Sequence, residues 1–261
     1  MNSTIDAVIL GGGTLKGLDG AAEAAGAGLG SKALLQLNGR EMIEYIIEAL
    51  RAAPSIGRII VVAPAEAVVE SWASKVETVI PSGDTIIENG VAGLSYLKET
   101  AQGLPDRVIF MTCDIPLITG DAIEDFIARS SDPDGRIFYP IISKEVIEAK
   151  YPEAKRTYAT LKDGVFTGGN LAVVNPETIL ANLETLETVF ELRKSVPKLM
   201  AFLGPKFIIK LGLKTLRVSD IEKRATELLN AKSIAINTPF PEIGIDVDKQ
   251  SDLELVLEAL G

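Results

Sequence analysis

The chain has 261 residues, 47% of them hydrophobic, enough to bury the core of one large domain or of a domain with a sizeable insertion. Its 26 basic and 36 acidic residues leave a net charge of −10, which argues against nonspecific binding to a nucleic-acid backbone and suits an enzyme of small anions assisted by metal. One cysteine, Cys113, permits no internal disulfide, and the lack of histidine removes imidazole bases and His-ligated zinc. No basic segment leads into a signal-type apolar stretch, and no apolar run approaches the ~20 residues of a membrane span, so a cytoplasmic setting is expected.

The apolar run 7–10 reads as a buried strand, and Gly11, Gly12 and Gly13 then strip side chains from a sharp turn. Bare amides there can approach phosphate oxygens closely, with Lys16 and Lys32 within a loop's reach to neutralise them. A Walker loop is excluded because Ala33 stands where its hydroxyl belongs, and a dinucleotide fingerprint because Lys16 stands at its third glycine. A tight strand-to-loop turn without a ligand stays open on this stretch alone.

Apolar residues at helical spacing predict a helix over 41–53, stopped by Pro54, before a buried strand at 58–63 and a short helix at 65–74. A strand at 76–80, a helix at 85–100 and a third apolar strand at 107–112 follow. Such runs separated by helices imply a parallel sheet covered on both faces, with ligands at the carboxyl ends of its strands. Asp114 falls at such an end, with Pro116 fixing the exit. Its carboxylate suits a hard divalent cation, or else caps a helix near Thr119 or Asp121.

In the second half, residues 136–142 read as a strand and Lys162-Asp163-Gly164 as a hairpin turn. Phe166-Thr-Gly-Gly-Asn170 is either a glycine bulge or a strand start that leaves room for a ligand against the backbone. Near the end, alternation puts Asp246 and Asp248 on one side of an extended segment, a costly arrangement unless a cation or basic group lies between them. Ser251 is the expected cap of the helix that follows.

The loop continues through Ser31-Lys32, Leu34-Leu35-x-Leu37-x-Gly39-Arg40-x-Met42-Ile43-x-Tyr45, and this opening resembles that of the GT-A-like nucleotidyltransferase superfamily, of the MobA-like NTP transferase or sugar-phosphate nucleotidyltransferase type. The Asp114-Ile-Pro string resembles the superfamily's L-x-x-D-x-P motif, and Asp246-Val-Asp248-Lys-Gln-Ser-Asp-Leu its D-I-D-T-P-E-D-L ending. The chain departs from the pattern at Leu15 for a glycine, at Lys16 or Gly17 for an arginine, at Ser31 for a proline, and at Lys249-Gln250 for Thr-Pro.

The resemblance implies an α/β, GT-A-like (Rossmann-like) three-layer fold with a mainly parallel central sheet. Residues 1–261 would form a single nucleotidyltransferase domain, with a helical, lid-like insertion at about 177–235 before the last strand. It further implies transfer of a nucleotidyl group from a nucleoside triphosphate to a phosphorylated small molecule, with magnesium and release of pyrophosphate. By the same likeness Leu10, Gly11, Gly12, Gly13, Thr14, Lys32, Asn89 and Gly93 bind the nucleotide, with Lys32 on its phosphates and Lys16 in place of the arginine. Asp114 and Asp246 are the implied magnesium ligands, with Asp248 a further candidate. Thr167, Gly168, Gly169 and Asn170 are the implied acceptor residues, and Lys155 and Arg156 would meet its phosphate.

Two other classes stay open: a glycosyltransferase of similar fold using a nucleotide sugar, though its D-x-D motif would lie mid-chain, and a noncatalytic nucleotide-binding regulator. Residues 193–217 are basic in an acidic protein. If Pro205 opens a helix, Lys206, Lys210 and Lys214 form one stripe, expected to serve a lid over the acceptor rather than a membrane-surface contact, or simply to be a solvated face. The identity of the base, the acceptor and the oligomeric state are left open.

Overall fold

The computed structural model describes residues 4–15, 18, 30–100, 103–192 and 195–261. Strand β1 (Ile5–Leu10) lies mid-sheet, and Ala7, Val8 and Ile9 are fully buried on its two faces. It pairs in parallel with β4 (Ile56–Ala63) on one side and β6 (Val108–Thr112) on the other. Leu10 lies opposite both Val62 and Thr112, so the glycine turn leaves the sheet beside the exit of β6.

Between β1 and β4, a two-stranded hairpin of β2 (Gln36–Leu37) and β3 (Arg40–Glu41) turns through Asn38 and Gly39, both at positive φ. It delivers the chain into helix α1 (Met42–Ala52), which buries Met42, Ile43, Ile46, Ile47 and Leu50. Strand β5 (Thr78–Pro81) adds to the far edge of β4, and helix α2 (Ile86–Thr100) packs Leu94 and Leu97 onto Val8 and Ile60. Helix α3 (Gly120–Arg129) starts at Thr119, whose hydroxyl accepts the Ala122 N–H, so Asp114 is released from any capping role.

The strand order β5-β4-β1-β6 is parallel, as expected; beyond β6 the sheet changes character. Strand β10 (Leu171–Val174) runs antiparallel to β6 and to β7 (Ile137–Ser143). Helix α4 (Lys144–Lys150) follows β7, and the hairpin of β8 (Ala159–Leu161) and β9 (Gly164–Gly168) extends the sheet, with β11 (Ser233–Asn237) parallel to β7. Pairing of β7 with β9 and then β10 jumps in register at Gly169-Asn170, so the glycine bulge is present, and it lies where the strand crosses toward β6.

Helices α5 (Pro176–Ala181), α6 (Leu183–Leu192), α7 (Val196–Leu203), α8 (Pro205–Gly212) and α9 (Val218–Leu229) fill the span between β10 and β11. They build a satellite core in which Met200, Leu203 and Leu216 meet Leu161 and Phe166 of the β8–β9 hairpin.

Three local expectations change. The helix over 65–74 is two 3₁₀ turns, Ala65–Val69 and Ser71–Lys75, because Trp72 is drawn inward to donate its indole N–H to Glu41. The terminal helix α10 (Gln250–Leu260) is capped by Asp252 rather than Ser251: its carboxylate reaches back to the N–H groups of Asp248 and Lys249. Pro205 does open α8, but the helix ends at Gly212 and Lys214 adopts left-handed φ (54°), so Lys214 leaves the stripe of Lys206 and Lys210.

Candidate active site

The site forms where β1, β6 and the segment before α10 end together. Gly11 is structural, since its N–H donates to Val62 O (2.6 Å) and its carbonyl accepts the Ser31 hydroxyl (2.9 Å). That hydroxyl also accepts the Ala33 N–H (3.2 Å) and so fixes the short 3₁₀ turn Lys32–Leu34. A proline could not make these bonds, which gives Ser31 a positive role at the position where the superfamily pattern has proline. Lys32 is tied back by its own N–H to Gly13 O (2.8 Å), and its stem runs past Gly13, where an added Cβ would lie 3.5 Å from Lys32 Cδ.

The buried Lys32 ammonium meets two carboxylates, Asp248 Oδ1 at 2.5 Å and Asp114 Oδ2 at 3.3 Å. Burial works to lower its pKa, but Asp114 and Asp248 outweigh it, and the value lies above that of an ordinary lysine. Asp114 is oriented by the Thr112 hydroxyl, which donates to its Oδ1 at 2.6 Å, and its carbonyl accepts the Val247 N–H at 2.9 Å. That last bond pins the Asp246-Val247-Asp248 segment to the end of β6.

Carboxylate oxygens of Asp114, Asp246 and Asp248 lie within 4.8 Å of one another. Burial, and then the nearby Asp114 carboxylate, push the pKa of Asp246 up, while Arg156 opposes them. The Arg156 guanidinium abuts Asp246, yet Asp246 Oδ1 and Arg156 Nε make no well-directed hydrogen bond. Three carboxylates with hard oxygens this close together fit a divalent cation of the magnesium type.

Two clefts open on either side of this carboxylate group. The first, about 360 Å³, is lined by Leu10, Gly12, Gly13, Thr14, Lys32 and Asn89, which are expected nucleotide residues, and by Asp114, the expected metal ligand. Its outer wall is Asp84, Thr85 and Ile86, which the sequence reading missed. The Thr85-Ile-Ile-Glu88 spacing carries the signal: Thr85 Oγ1 accepts the Glu88 N–H and Glu88 accepts those of Thr85 and Asp84, a capping box that opens α2 at the rim. Asn89 is buried, its Oδ1 accepting the Gly83 N–H at 2.7 Å, and a Cβ on Gly12 would come 2.5 Å from its Nδ2.

Gly93 is placed elsewhere. It packs against Val8 in the seam between helix and sheet, so a side chain there would strike Val8 Cγ1 at 2.6 Å rather than a nucleotide. Lys16 lies outside the described residues, as do Arg193 and Lys194.

The second cleft, about 450 Å³, is lined by the expected Lys155, Arg156, Thr167, Gly168, Gly169 and Asn170, with Asp246 and Asp248 at its inner end. Missed by the sequence reading were Tyr139, Val196 and Lys249. The Tyr139 hydroxyl donates to Gly169 O at 2.9 Å, which presents the ring as a floor. Asn170 links the two halves: its N–H donates to Ile243 O and its carbonyl accepts the Thr112 N–H, both at 3.0 Å.

Neither Lys206 nor Lys214 lines this cleft, and Lys210 is held by Asp220 at 2.6 Å. The stripe therefore does not deliver three lysines to an acceptor. Cys113 is fully buried, and burial raises its thiol pKa far above the ordinary value, so it is a packed, unreactive group.

A glycine turn at the carboxyl ends of parallel strands, a buried lysine over a carboxylate cluster and paired clefts define a nucleotide-handling α/β transferase. Residues 7–199 match the MobA-like NTP transferase domain. A solved hypothetical transferase from Thermus thermophilus is 32% identical, with a TM-score of 0.79 over 96% of this chain and 99% of that one. The chain belongs to the MobA-like NTP transferase domain family and is a nucleotidyltransferase. The fold alone is shared, at 13% identity, with 4-diphosphocytidyl-2C-methyl-D-erythritol synthase from Anaerococcus prevotii (TM-score 0.56; 100% of this chain, 99% of that one). It is likewise shared, at 13% identity, with CMP:2-keto-3-deoxy-manno-octonic acid synthetase complexed with CTP (TM-score 0.55; 99% and 98%). No curated protein matches the chain.

Proposed function

We propose that the protein is a magnesium-dependent nucleotidyltransferase that joins the nucleotidyl group of a nucleoside triphosphate to the phosphate of a small polyol or sugar phosphate. The single observation that carries this reading is the carboxylate group of Asp114, Asp246 and Asp248 lying between two clefts, one walled by the glycine turn and the other by Lys155 and Arg156. Triphosphate in the first and acceptor phosphate in the second place the reacting groups on either side of it.

An acceptor phosphate oxygen attacks the α-phosphorus. The new P–O bond forms as the bond from the α-phosphorus to the oxygen bridging it to the β-phosphate breaks, and pyrophosphate leaves. The attacking oxygen is already anionic near neutral pH, so no side-chain base is needed and a chain without histidine loses nothing. Lys32 neutralises triphosphate charge at the glycine turn. Arg156, poised beside Asp246, meets the acceptor phosphate, while Tyr139, Thr167 and Asn170 offer a flat face and polar groups to a hydroxylated body. Asp114, Asp246 and Asp248 are the residues that would hold magnesium, which when bound supplies charge neutralisation for the phosphates.

The deciding experiment measures pyrophosphate release across the four nucleoside triphosphates and a panel of sugar, polyol and cofactor phosphates, with magnesium and with chelator. Release that needs both a triphosphate and a phosphorylated acceptor, and stops on chelation, is expected. Absence of release with every pair, or release with unphosphorylated acceptors only, overturns the reading.

A further inference from the structure

Helix α8 breaks the rule that an exposed helix face is polar. Its inner side follows the rule, since Phe207 and Leu211 pack into the satellite core. On the outer side, Ile208, Ile209 and Leu213 are 49%, 62% and 69% exposed, and among the described residues the other large hydrophobic side chain so exposed is Tyr139 in the acceptor cleft. Lys206, Ile209 and Leu213 follow one another at i, i+3 and i+7 along the outward stripe, with Ile208 beside them. Exposed Lys206 and Lys214 stand at its two ends. The described segment 195–219 holds Lys198, Lys206, Lys210, Lys214 and Arg217 and no acidic residue, in a chain of net charge −10.

We propose that this outer face of α8 is a docking surface for an anionic bilayer, with Ile208, Ile209 and Leu213 seated in the headgroup layer and Lys206 and Lys214 on the lipid phosphates. Apolar side chains flanked by lysines are what an interfacial segment needs: burial supplies adhesion, and the cations supply selectivity for acidic lipid. The rest of the chain, being acidic, is repelled by the same surface, so the patch also sets the orientation. Val196 of α7, on the same insertion as the docking face, is one residue of the acceptor cleft's lining.

The test is flotation of the full chain with phosphatidylcholine vesicles, with and without phosphatidylserine at roughly a third of the lipid. The wild type should float with the anionic vesicles and remain behind with the neutral ones. Lys206→Glu/Lys214→Glu should lower partitioning at least about twenty-fivefold, from about fivefold per lysine at an anionic surface. Ile209→Glu/Leu213→Glu should abolish it. All four positions are exposed, so circular-dichroism melts should match the wild type, and if the apolar variant fails to fold, the lysine variant decides alone. Failure of the wild type to float with anionic vesicles, or flotation unchanged in the folded variants, overturns the proposal. So does a wild-type dimer in sedimentation velocity that Ile209→Glu/Leu213→Glu breaks, since a second copy would then cover the face.

Discussion

Replacing Lys32 by methionine keeps the buried stem against Gly13 and removes only the ammonium, which isolates its charge. At an effective dielectric constant of ~20, contacts of 2.5 Å to Asp248 and 3.3 Å to Asp114 correspond to gross attractions of ~7 and ~5 kcal/mol. These are upper limits, because burying the ammonium offsets much of them. Removing one partner of a fully buried pair costs about 3–5 kcal/mol. Here the Asp248 side chain is 41% exposed and screened by water, so a net loss of about 2–3 kcal/mol is expected. Arg156 then still abuts Asp246, one of the three carboxylates. The competing ammonium being gone, the variant should bind magnesium more tightly without nucleotide than the wild type does, while kcat/KM for the triphosphate falls. Urea melts with and without magnesium, alongside calorimetric titration of the metal, measure both effects. Wild-type stability, or magnesium affinity equal to or below that of the wild type, would refute the assignment of Lys32 as the resident counter-cation of the site.

Asp114→Asn and Asp246→Asn should each lower turnover by orders of magnitude with the fold intact, because the Val247 N–H bond is to the backbone carbonyl of Asp114; pyrophosphate release and thermal melts on the same samples check it. Gly12→Ala should displace Asn89 and weaken nucleotide binding about tenfold, at a stability cost of ~1 kcal/mol or less, since what it meets is the end of a side chain. Gly93→Ala should do the opposite, lowering stability by about 1–3 kcal/mol, offset by up to ~1 kcal/mol of helix propensity, with nucleotide affinity unchanged in equilibrium binding. Glu41 has its pKa raised from 4.5, first by burial, so its contribution to stability is fully present below that value and is lost as pH rises through the folded one. Glu41→Gln, which can still accept the Trp72 N–H, should therefore gain on the wild type in urea midpoints as pH goes from acid to neutral, and a constant difference would contradict this.

Much of this was legible because the informative residues are punctuation. Apolar runs ending at Gly11 and Asp114 announce strand exits, and Asp246 and Asp248 share a face because extended backbone alternates. What stayed hidden depends on partners distant in sequence. Arg156 reads as a free phosphate contact until β8 and β9 fold it against Asp246, and Tyr139 reads as an ordinary strand residue until the bulge at Gly169 presents a carbonyl to its hydroxyl. Gly93 copies a binding-motif glycine but answers to the bulk of Val8, a distinction that spacing along one helix does not contain. The lysines of 206–214 follow a perfect four-residue interval, yet Gly212 ends the helix before the third, so periodicity overstated the stripe.

The bulge at Gly169-Asn170 has a consequence for how such an enzyme changes its substrate. Asn170 bonds to Thr112, and Thr112 orients Asp114, so the strand lining the second cleft is mechanically part of the carboxylate group. A Cβ on Gly169 would drive into Ile243 Cγ2 at 2.6 Å and Pro140 Cγ at 2.8 Å, shifting that strand and the reaction centre with it. If that cleft takes the acceptor, a change of substrate is steered away from Gly169 and toward other residues of its lining, such as Lys155, Thr157 and Val196, which lie outside that strand.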